Sequence, residues 1–300
     1  MKRIVKIALI QTRNEIKPSC IEENLTVSKI KKEINEIKKA ALEKNIELSL
    51  KAIKKGANII CFQELAFGPY FCAETHPRWY FASESLNGKI VKTFSNLAKE
   101  NDVVFIVPFM EKAIEGVYYN SSAVIDADGK VLGVYRKSHI PDLSGFFEKF
   151  YFKPGNTGFC VFESAYARLG VLICYDRHFM EGWRSYMVNG AEIVFNPSST
   201  TEDVSKYLWN LEQPAAAFSN MYFVAAVNRV GVEKPWEIGK FFGESYVCGP
   251  DGKIIESAGD KEEVLVVEID LAKVEEERYK RRWIKDRNVL SYSELVELLP

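Results

Sequence analysis

The chain has 300 residues, of which 47% are hydrophobic and 27% charged, an ordinary globular composition with room for one large domain or two small ones. Its formal net charge of −1 argues against a nucleic-acid partner, because nucleic-acid-binding proteins present a clearly basic surface. No apolar run is long enough for a transmembrane helix, and the six cysteines show neither zinc-site spacing nor a disulfide framework. We therefore expect a cytoplasmic protein without a membrane partner or a metal.

The first predicted elements are a β-strand and a long helical region. Residues 4–11 form a mostly apolar run without the small-residue cleavage site of a signal peptide, which favours a strand. Ser19 and Glu22 form a capping-box pattern, and apolar residues at helical spacing follow over 30–57. This pattern predicts one long helix or two, with a break near Asn45.

The second half of the chain repeats the pattern of the first. The matching segments are 56–62 with 190–195, 103–109 with 222–227, and 122–132 with 245–255. Each half predicts helices on one face of a sheet and an apolar opposite face. Packing the two apolar faces together gives an α/β fold, a four-layer α-β-β-α sandwich with pseudo-twofold symmetry. We expect one domain over 1–270, and a C-terminal extension over 271–300 that packs on another subunit.

Cys174 is the candidate nucleophile. It ends a predicted buried strand, and polar residues and a helical segment follow. Such a turn exposes the thiol among backbone N–H groups, where a helix N-terminus lowers the thiol pKa. The alternative is an ordinary buried cysteine. His178 lies four residues further on, but a side chain there points along its own helix, which disfavours a Cys–His hydrolase.

Three charged residues are candidates for the remaining chemistry. Glu64 directly follows the predicted strand 59–62, where a carboxylate can serve as a general base. Lys137 follows another predicted strand, where an ammonium can face a tetrahedral oxyanion. Glu148 is an acid within an unusually aromatic segment, which suggests partial burial. Taken singly, the alternatives are an exposed carboxylate, a surface lysine and a loop ion pair.

Together these segments resemble the nitrilase, or carbon–nitrogen hydrolase, family over nearly the whole chain. The motifs are FQEL at 62–65, YRKSHIP at 135–141 and ICYDR at 173–177. The resemblance implies an α-β-β-α sandwich, a Glu-Lys-Cys triad on strand ends, no metal or cofactor, and a homodimer or larger homo-oligomer. The implied roles are nucleophile for Cys174, general base for Glu64, oxyanion stabiliser for Lys137, orientation of that lysine for Glu148, an oxyanion-hole N–H for Tyr175 and a supporting position for His139.

Within the family the chain resembles most the carbamoyl amidohydrolases, the β-ureidopropionase group. The stretches concerned are 68–74, 147–152, 174–179, 209–215 and 227–231. Arg177 lies three residues after Cys174, where a guanidinium can bind a carboxylate bidentately, as an arginine does in the related D-carbamoylases. His178 replaces a second arginine of those enzymes, which argues against a D-amino-acid substrate.

The sequence therefore favours a small N-carbamoyl amino acid as substrate, foremost N-carbamoyl-β-alanine, cleaved to the amino acid, ammonia and carbon dioxide. Alternative activities are N-carbamoylputrescine amidase and a general aliphatic amidase or nitrilase. A non-catalytic sandwich that binds a partner is the alternative from another class. For Arg177 itself, the alternative is a structural ion pair with Asp176 or with an acid at a helix end.

Overall fold

The computed structural model describes residues 2–14 and 25–297, and the elements below lie within those residues. The strands are β1 (Ile4–Gln11), β2 (Ile59–Phe62), β3 (Val104–Ile114), β4 (Val117–Ile125), β5 (Val131–Arg136), β6 (Asp142–Leu143), β7 (Phe146–Phe147), β8 (Phe162–Glu163), β9 (Arg168–Val171), β10 (Ile193–Pro197), β11 (Phe223–Val227), β12 (Val230–Gly231), β13 (Phe241–Phe242), β14 (Tyr246–Cys248), β15 (Ile254–Ser257) and β16 (Glu263–Asp270). The helices are α1 (Val27–Lys54), α2 (Lys89–Asn101), α3 (Glu148–Tyr151), α4 (Met180–Val188), α5 (Glu202–Asn220) and α6 (Ala272–Arg281). Short 3-10 segments are Phe71–Ala73, Pro77–Ala82, Cys174–His178, Val289–Ser291 and Ser293–Val296.

Two six-stranded mixed sheets have the same topology. Their strand orders are β16-β1-β2-β3-β4-β5 and β15-β14-β11-β10-β9-β8. In each sheet three parallel strands, β1-β2-β3 or β9-β10-β11, are flanked by antiparallel neighbours. Strand β1 thus corresponds to β9, β2 to β10, β3 to β11, and the β4-β5 hairpin to β14-β15. The predicted repeat and its pseudo-twofold symmetry are confirmed.

Side-chain alternation along the strands explains the four layers. In β1, Ile7 and Leu9 belong to the hydrophobic cluster between the two sheets, together with Ile193 of the second sheet. Ala8 and Ile10 point to the opposite face and join a second cluster with Phe94 of α2. Because successive residues of a strand face opposite sides, a strand buried on both faces is apolar throughout. The α-β-β-α sandwich follows from this pattern.

Helix α1 is continuous, so the predicted break near Asn45 is wrong. The Asn45 side chain is buried, and its Nδ2 donates to the Ala41 carbonyl one turn earlier, at 2.9 Å, and to the Ala66 carbonyl, at 3.1 Å. Because the side-chain nitrogen bonds to these carbonyls without interrupting the helix backbone, the helix remains intact. Thr26 caps the helix by accepting a hydrogen bond from the Lys29 amide. The capping box predicted at 19–22 lies outside the described residues.

The C-terminal segment first packs on this chain itself. Val274 of α6 is buried in the central cluster, and the Arg278 guanidinium donates to the Ala191 carbonyl at 2.7 Å. Trp283 then contacts the ring of Phe218 on α5, with a centroid distance of 5.2 Å. None of the helices within residues 2–14 and 25–297 is both long and apolar enough to cross a membrane.

Candidate active site

Three charged side chains predicted from the sequence meet inside the protein. Lys137 lies just beyond β5, and its Nζ is 2.8 Å from Glu64 Oε1 and 2.7 Å from Glu148 Oε1. Glu64 lies just beyond β2, and Glu148 begins α3. All three side chains are completely buried, which excludes the surface lysine and the exposed carboxylate considered above. The Lys137 ammonium therefore connects the end of β5 with the end of β2 through its contact with Glu64.

Two neutral side chains complete this cluster, and the sequence analysis missed both. Asn120, on β4, donates from Nδ2 to Glu64 Oε1 at 2.8 Å and to Glu148 Oε2 at 3.2 Å. The Tyr70 hydroxyl donates to Glu148 Oε1 at 2.8 Å. The one available signal was the polar run 120–122 within an apolar strand, since buried polar groups need partners.

The Glu64 carboxylate uses its two oxygens differently. Oε1 accepts hydrogen bonds from both Lys137 and Asn120. Oε2 is buried and has no hydrogen-bond partner within the described part of the chain. A carboxylate held by one oxygen, with the other left open, can accept a proton from a neighbouring group.

Burial and mutual attraction set the charges of the cluster. Burial raises the pKa of the Glu148 carboxyl to about 7, although the Lys137 ammonium opposes this shift. Burial alone would lower the pKa of Lys137, but the two carboxylates outweigh that effect and the net shift is upward. Lys137 is therefore positively charged at neutral pH, as a group that stabilises an oxyanion must be.

Cys174 lies on a sharp turn directly after the strand region, as predicted. Its backbone φ of +46° is in the left-handed region that non-glycine residues rarely adopt. The Asp176 carboxylate holds the turn by accepting a hydrogen bond from the Ile173 amide at 3.0 Å. The side chain of Cys174 is buried, with 6% of the residue exposed.

The predicted lowering of the Cys174 pKa is wrong. Burial, followed by the negative charge of Glu64, raises the pKa of the thiol to about 11, despite the opposing charges of Lys137 and Arg177. The dipole of one 3-10 turn is a small effect beside the loss of solvent. The thiol is therefore protonated at neutral pH, and a nucleophilic role requires a base.

His139 supports the turn through Asp176. Its Nδ1 lies 2.7 Å from Asp176 Oδ1, and its ring stacks on Phe179 at a centroid distance of 3.6 Å. The other oxygen of Asp176 accepts a hydrogen bond from the Tyr135 hydroxyl at 2.7 Å. These contacts connect the Lys137 strand with the Cys174 turn. The ring of Tyr175, the proposed oxyanion-hole residue, packs on Phe179 at 5.5 Å.

Arg177 lies beside the candidate nucleophile, but its charge is already paired. Its Nη1 is 3.6 Å from Cys174 Sγ, and its Nη2 donates to Ser205 Oγ at 2.7 Å. Its Nε is 3.6 Å from Glu212 Oε2, whose other oxygen is 2.8 Å from His178 Nδ1. The ion pair considered for Arg177 thus exists, with Glu212 of α5 in place of Asp176. His178 faces Glu212, in agreement with the argument against a Cys–His hydrolase.

Comparisons with known proteins agree with this arrangement. The family model described as carbon-nitrogen hydrolase matches residues 6–279. N-carbamoylputrescine amidase of Solanum tuberosum is 42% identical over 260 residues, or 82% of this chain and 86% of that protein. Beta-ureidopropionase of Arabidopsis thaliana is 35% identical over 244 residues, or 76% of this chain and 59% of that protein. The crystal structure of a carbon-nitrogen hydrolase from Helicobacter pylori G27 has a TM-score of 0.86 at 33% identity and covers 99% of both chains. The chain belongs to the carbon-nitrogen hydrolase family, an enzyme family of the nitrilase superfamily.

Proposed function

We propose that the chain hydrolyses N-carbamoyl compounds, with Cys174 as nucleophile and Glu64 as general base. The open Oε2 of Glu64 carries this proposal, because a thiol with a pKa of about 11 needs an adjacent proton acceptor. Lys137 and the backbone N–H of Tyr175 supply positive charge and a donor for the oxyanion. Glu148 orients Lys137 through the two contacts of its carboxylate.

The proposed reaction has two halves, acylation of Cys174 by the substrate and hydrolysis of the resulting thioester. Glu64 takes the thiol proton as Cys174 Sγ forms a bond to the carbamoyl carbon. The tetrahedral intermediate then loses one nitrogen, which leaves with the proton from Glu64, and a thioester remains. Glu64 next takes a proton from water as the hydroxide attacks the thioester carbon. The C–S bond then breaks, and the leaving sulfur takes that proton from Glu64, which restores the Cys174 thiol and the carboxylate. If ammonia leaves first, the product is an N-substituted carbamic acid, which separates into carbon dioxide and the amine.

N-carbamoylputrescine is our first candidate substrate, the alternative considered in the sequence analysis. The relative with 42% identity bears that activity in its name, and the relative named for beta-ureidopropionase is 35% identical. The ion pair of Arg177 with Glu212, at 3.6 Å, supports this order, because a guanidinium beside a carboxylate attracts an anionic substrate less strongly.

N-carbamoyl-β-alanine is the second candidate, and one observation favours it. Arg177 Nη1 lies 3.6 Å from Cys174 Sγ, so a carboxylate on a short substrate could reach the guanidinium while the carbamoyl carbon meets the sulfur. Binding of that carboxylate would require Arg177 to be shared between the substrate and Glu212.

Ammonia release from the two compounds tests the proposal. We expect turnover of N-carbamoylputrescine in preference to N-carbamoyl-β-alanine, abolished by Cys174→Ala and retained by Cys160→Ala, a matched change at an exposed cysteine. Preference for the β-alanine compound, with a KM that rises in Arg177→Gln, would instead establish the second candidate. Activity on simple amides alone would contradict the carbamoyl assignment, and activity in Cys174→Ala would contradict the mechanism.

A further inference from the structure

The segment 64–70 carries two residues of the cluster, one at each end. Glu64 begins it, and Tyr70, which donates to Glu148, ends it. The segment consists of turns without a helix or strand, and Leu65 has a φ of +49°. Such a conformation in a non-glycine residue persists only where surrounding groups hold it. The position of Glu64 therefore depends on contacts outside the segment.

A buried arginine supplies those contacts. Arg229 follows β11, and its side chain is completely buried. Its Nη2 donates to the carbonyls of Glu64 and Leu65 at 3.0 and 3.1 Å, and its Nη1 donates to the carbonyl of Gly68 at 3.0 Å. Its Nε donates to Ser199 Oγ at 3.2 Å. One guanidinium thus binds three backbone oxygens of the segment.

Glu233 extends the same contact to the other end of the segment. Its Oε1 accepts from Arg229 Nη1 at 2.5 Å, and its Oε2 accepts from the Tyr70 amide at 2.6 Å. Both side chains of this ion pair are completely buried. Only the planar fork of arginine presents enough donors to bind several carbonyls and a carboxylate together, which a lysine cannot do.

We propose that the Arg229–Glu233 pair is a positioning device for the general base, which fixes Glu64 and Tyr70 through the backbone that joins them. This role rests on the proposed function of Glu64. Neither residue touches the reacting atoms in this arrangement. Displacement of the segment would move Glu64 Oε2 away from the thiol and would weaken the Tyr70 contact with Glu148.

Two conservative substitutions, one at each residue, test the Arg229–Glu233 pair. Glu233→Gln keeps the shape but replaces one acceptor by an N–H₂ donor, so that either Arg229 or the Tyr70 amide loses its partner. Arg229→Lys keeps the charge and removes the fork. Glu192→Gln is the control, because Glu192 also pairs with an arginine, Arg3, in another part of the chain.

We expect Glu233→Gln and Arg229→Lys to lower kcat by roughly 100-fold with KM nearly unchanged, as a displaced base does. Hydrogen–deuterium exchange of peptides that cover 64–70 should accelerate in both variants and stay unchanged in Glu192→Gln. Comparable kcat values in all three variants, with unchanged exchange at 64–70, would overturn the proposal. A wild type inactive on every N-carbamoyl compound would refute the proposed function instead, and the exchange measurement would still decide whether the pair holds the segment.

Discussion

At the residue scale, the centre of the candidate site is one buried ammonium, Lys137, between two carboxylates. If Glu64 and Glu148 were both ionised, the cluster with Lys137 would carry one excess negative charge in a solvent-free site. Burial relieves this excess charge by raising the pKa of Glu148 to about 7. Near neutral pH the carboxyl is therefore protonated in about half of the molecules. Glu64 keeps its Oε2 without a partner among the described residues, because Lys137 and Asn120 both bind its Oε1.

This shift predicts a pH-dependent stability. The ordinary pKa of the Glu148 side chain is 4.5, so between pH 4.5 and 7 the native protein binds more protons there than the unfolded chain. The stabilisation is therefore complete below pH 4.5 and is lost as pH rises through 7, by about 3 kcal/mol in the free energy of unfolding. Glu148→Gln, which cannot titrate, should lack this component.

Denaturant unfolding of wild type and Glu148→Gln at several pH values measures this pH-dependent part of the unfolding free energy. The difference in unfolding free energy, wild type minus variant, should fall between pH 5 and 7.5. A difference that stays constant or rises with pH would show that Glu148 titrates normally.

The sequence motifs predicted the residues that we propose to perform the chemistry, and not the residues that hold them in place. Glu64, Lys137 and Cys174 follow strands, which a pattern of apolar residues reveals. Asn120 and Tyr70 make contacts with residues far apart in the chain, and these contacts depend on how the strands of the first sheet and their loops are arranged. The error in the Cys174 pKa has the same origin, because burial of a thiol is a property of the packed molecule.

At the scale of elements, the end of β5 is held by a glycine. The amide of Gly155 donates to the Lys137 carbonyl at 2.8 Å. A Cβ atom at Gly155 would lie 2.0 Å from the Arg136 carbonyl oxygen, closer than any real contact. Only glycine lets this loop pass so near the backbone that carries Lys137.

Gly155→Ala should therefore displace Lys137. We expect a loss of about 1–3 kcal/mol in the free energy of unfolding, from forced overpacking, and a decrease in kcat of up to roughly 100-fold. Thermal unfolding and steady-state kinetics measure the two effects. Gly259→Ala is the control, because a Cβ there meets no atom within 4 Å. Equal activity of the two variants would show that the loop tolerates the methyl group.

Elements with clear periodicity were predictable, and one internal boundary was not. The repeated strands and hairpins were confirmed because alternation and Asp-Gly turns are local signals. The break at Asn45 was wrong because the residue that stabilises it, Ala66, is distant in sequence. A buried asparagine within a helix cannot be distinguished from a helix end until its partner is known.

At the scale of the whole molecule, the site lies between the two halves of the repeat. Glu64 and Lys137 follow β2 and β5 of the first sheet, whereas Cys174 follows β9 of the second. The pseudo-twofold fold thus brings the proposed base and the proposed nucleophile together across the sandwich, because each half of the chain contains only part of the proposed triad. Packing of the two sheets is therefore a condition for the proposed activity.

The C-terminal segment beyond α6 exposes large apolar side chains, and from them we predict self-association. Leu290 and Val296 are 90% and 86% exposed, which suits an interface with a second copy. We expect a homodimer or larger assembly by light scattering, and a lower mass after combined Leu290→Asp and Val296→Asp substitution. Ile114→Asp, at another exposed apolar site, should leave the mass unchanged. A monomeric wild type would contradict this expectation.

Trapping of the covalent intermediate tests the central claim most directly. We would incubate wild type, Glu64→Gln and Cys174→Ala with N-carbamoylputrescine and measure intact-protein and peptide masses. We predict an adduct on the peptide that contains Cys174 in wild type, whose mass shows which nitrogen leaves first. Glu64→Gln should form little of this adduct, because its thiol has lost the proposed base. Turnover of the substrate by Cys174→Ala, with no adduct on Cys174 in wild type, would contradict the account.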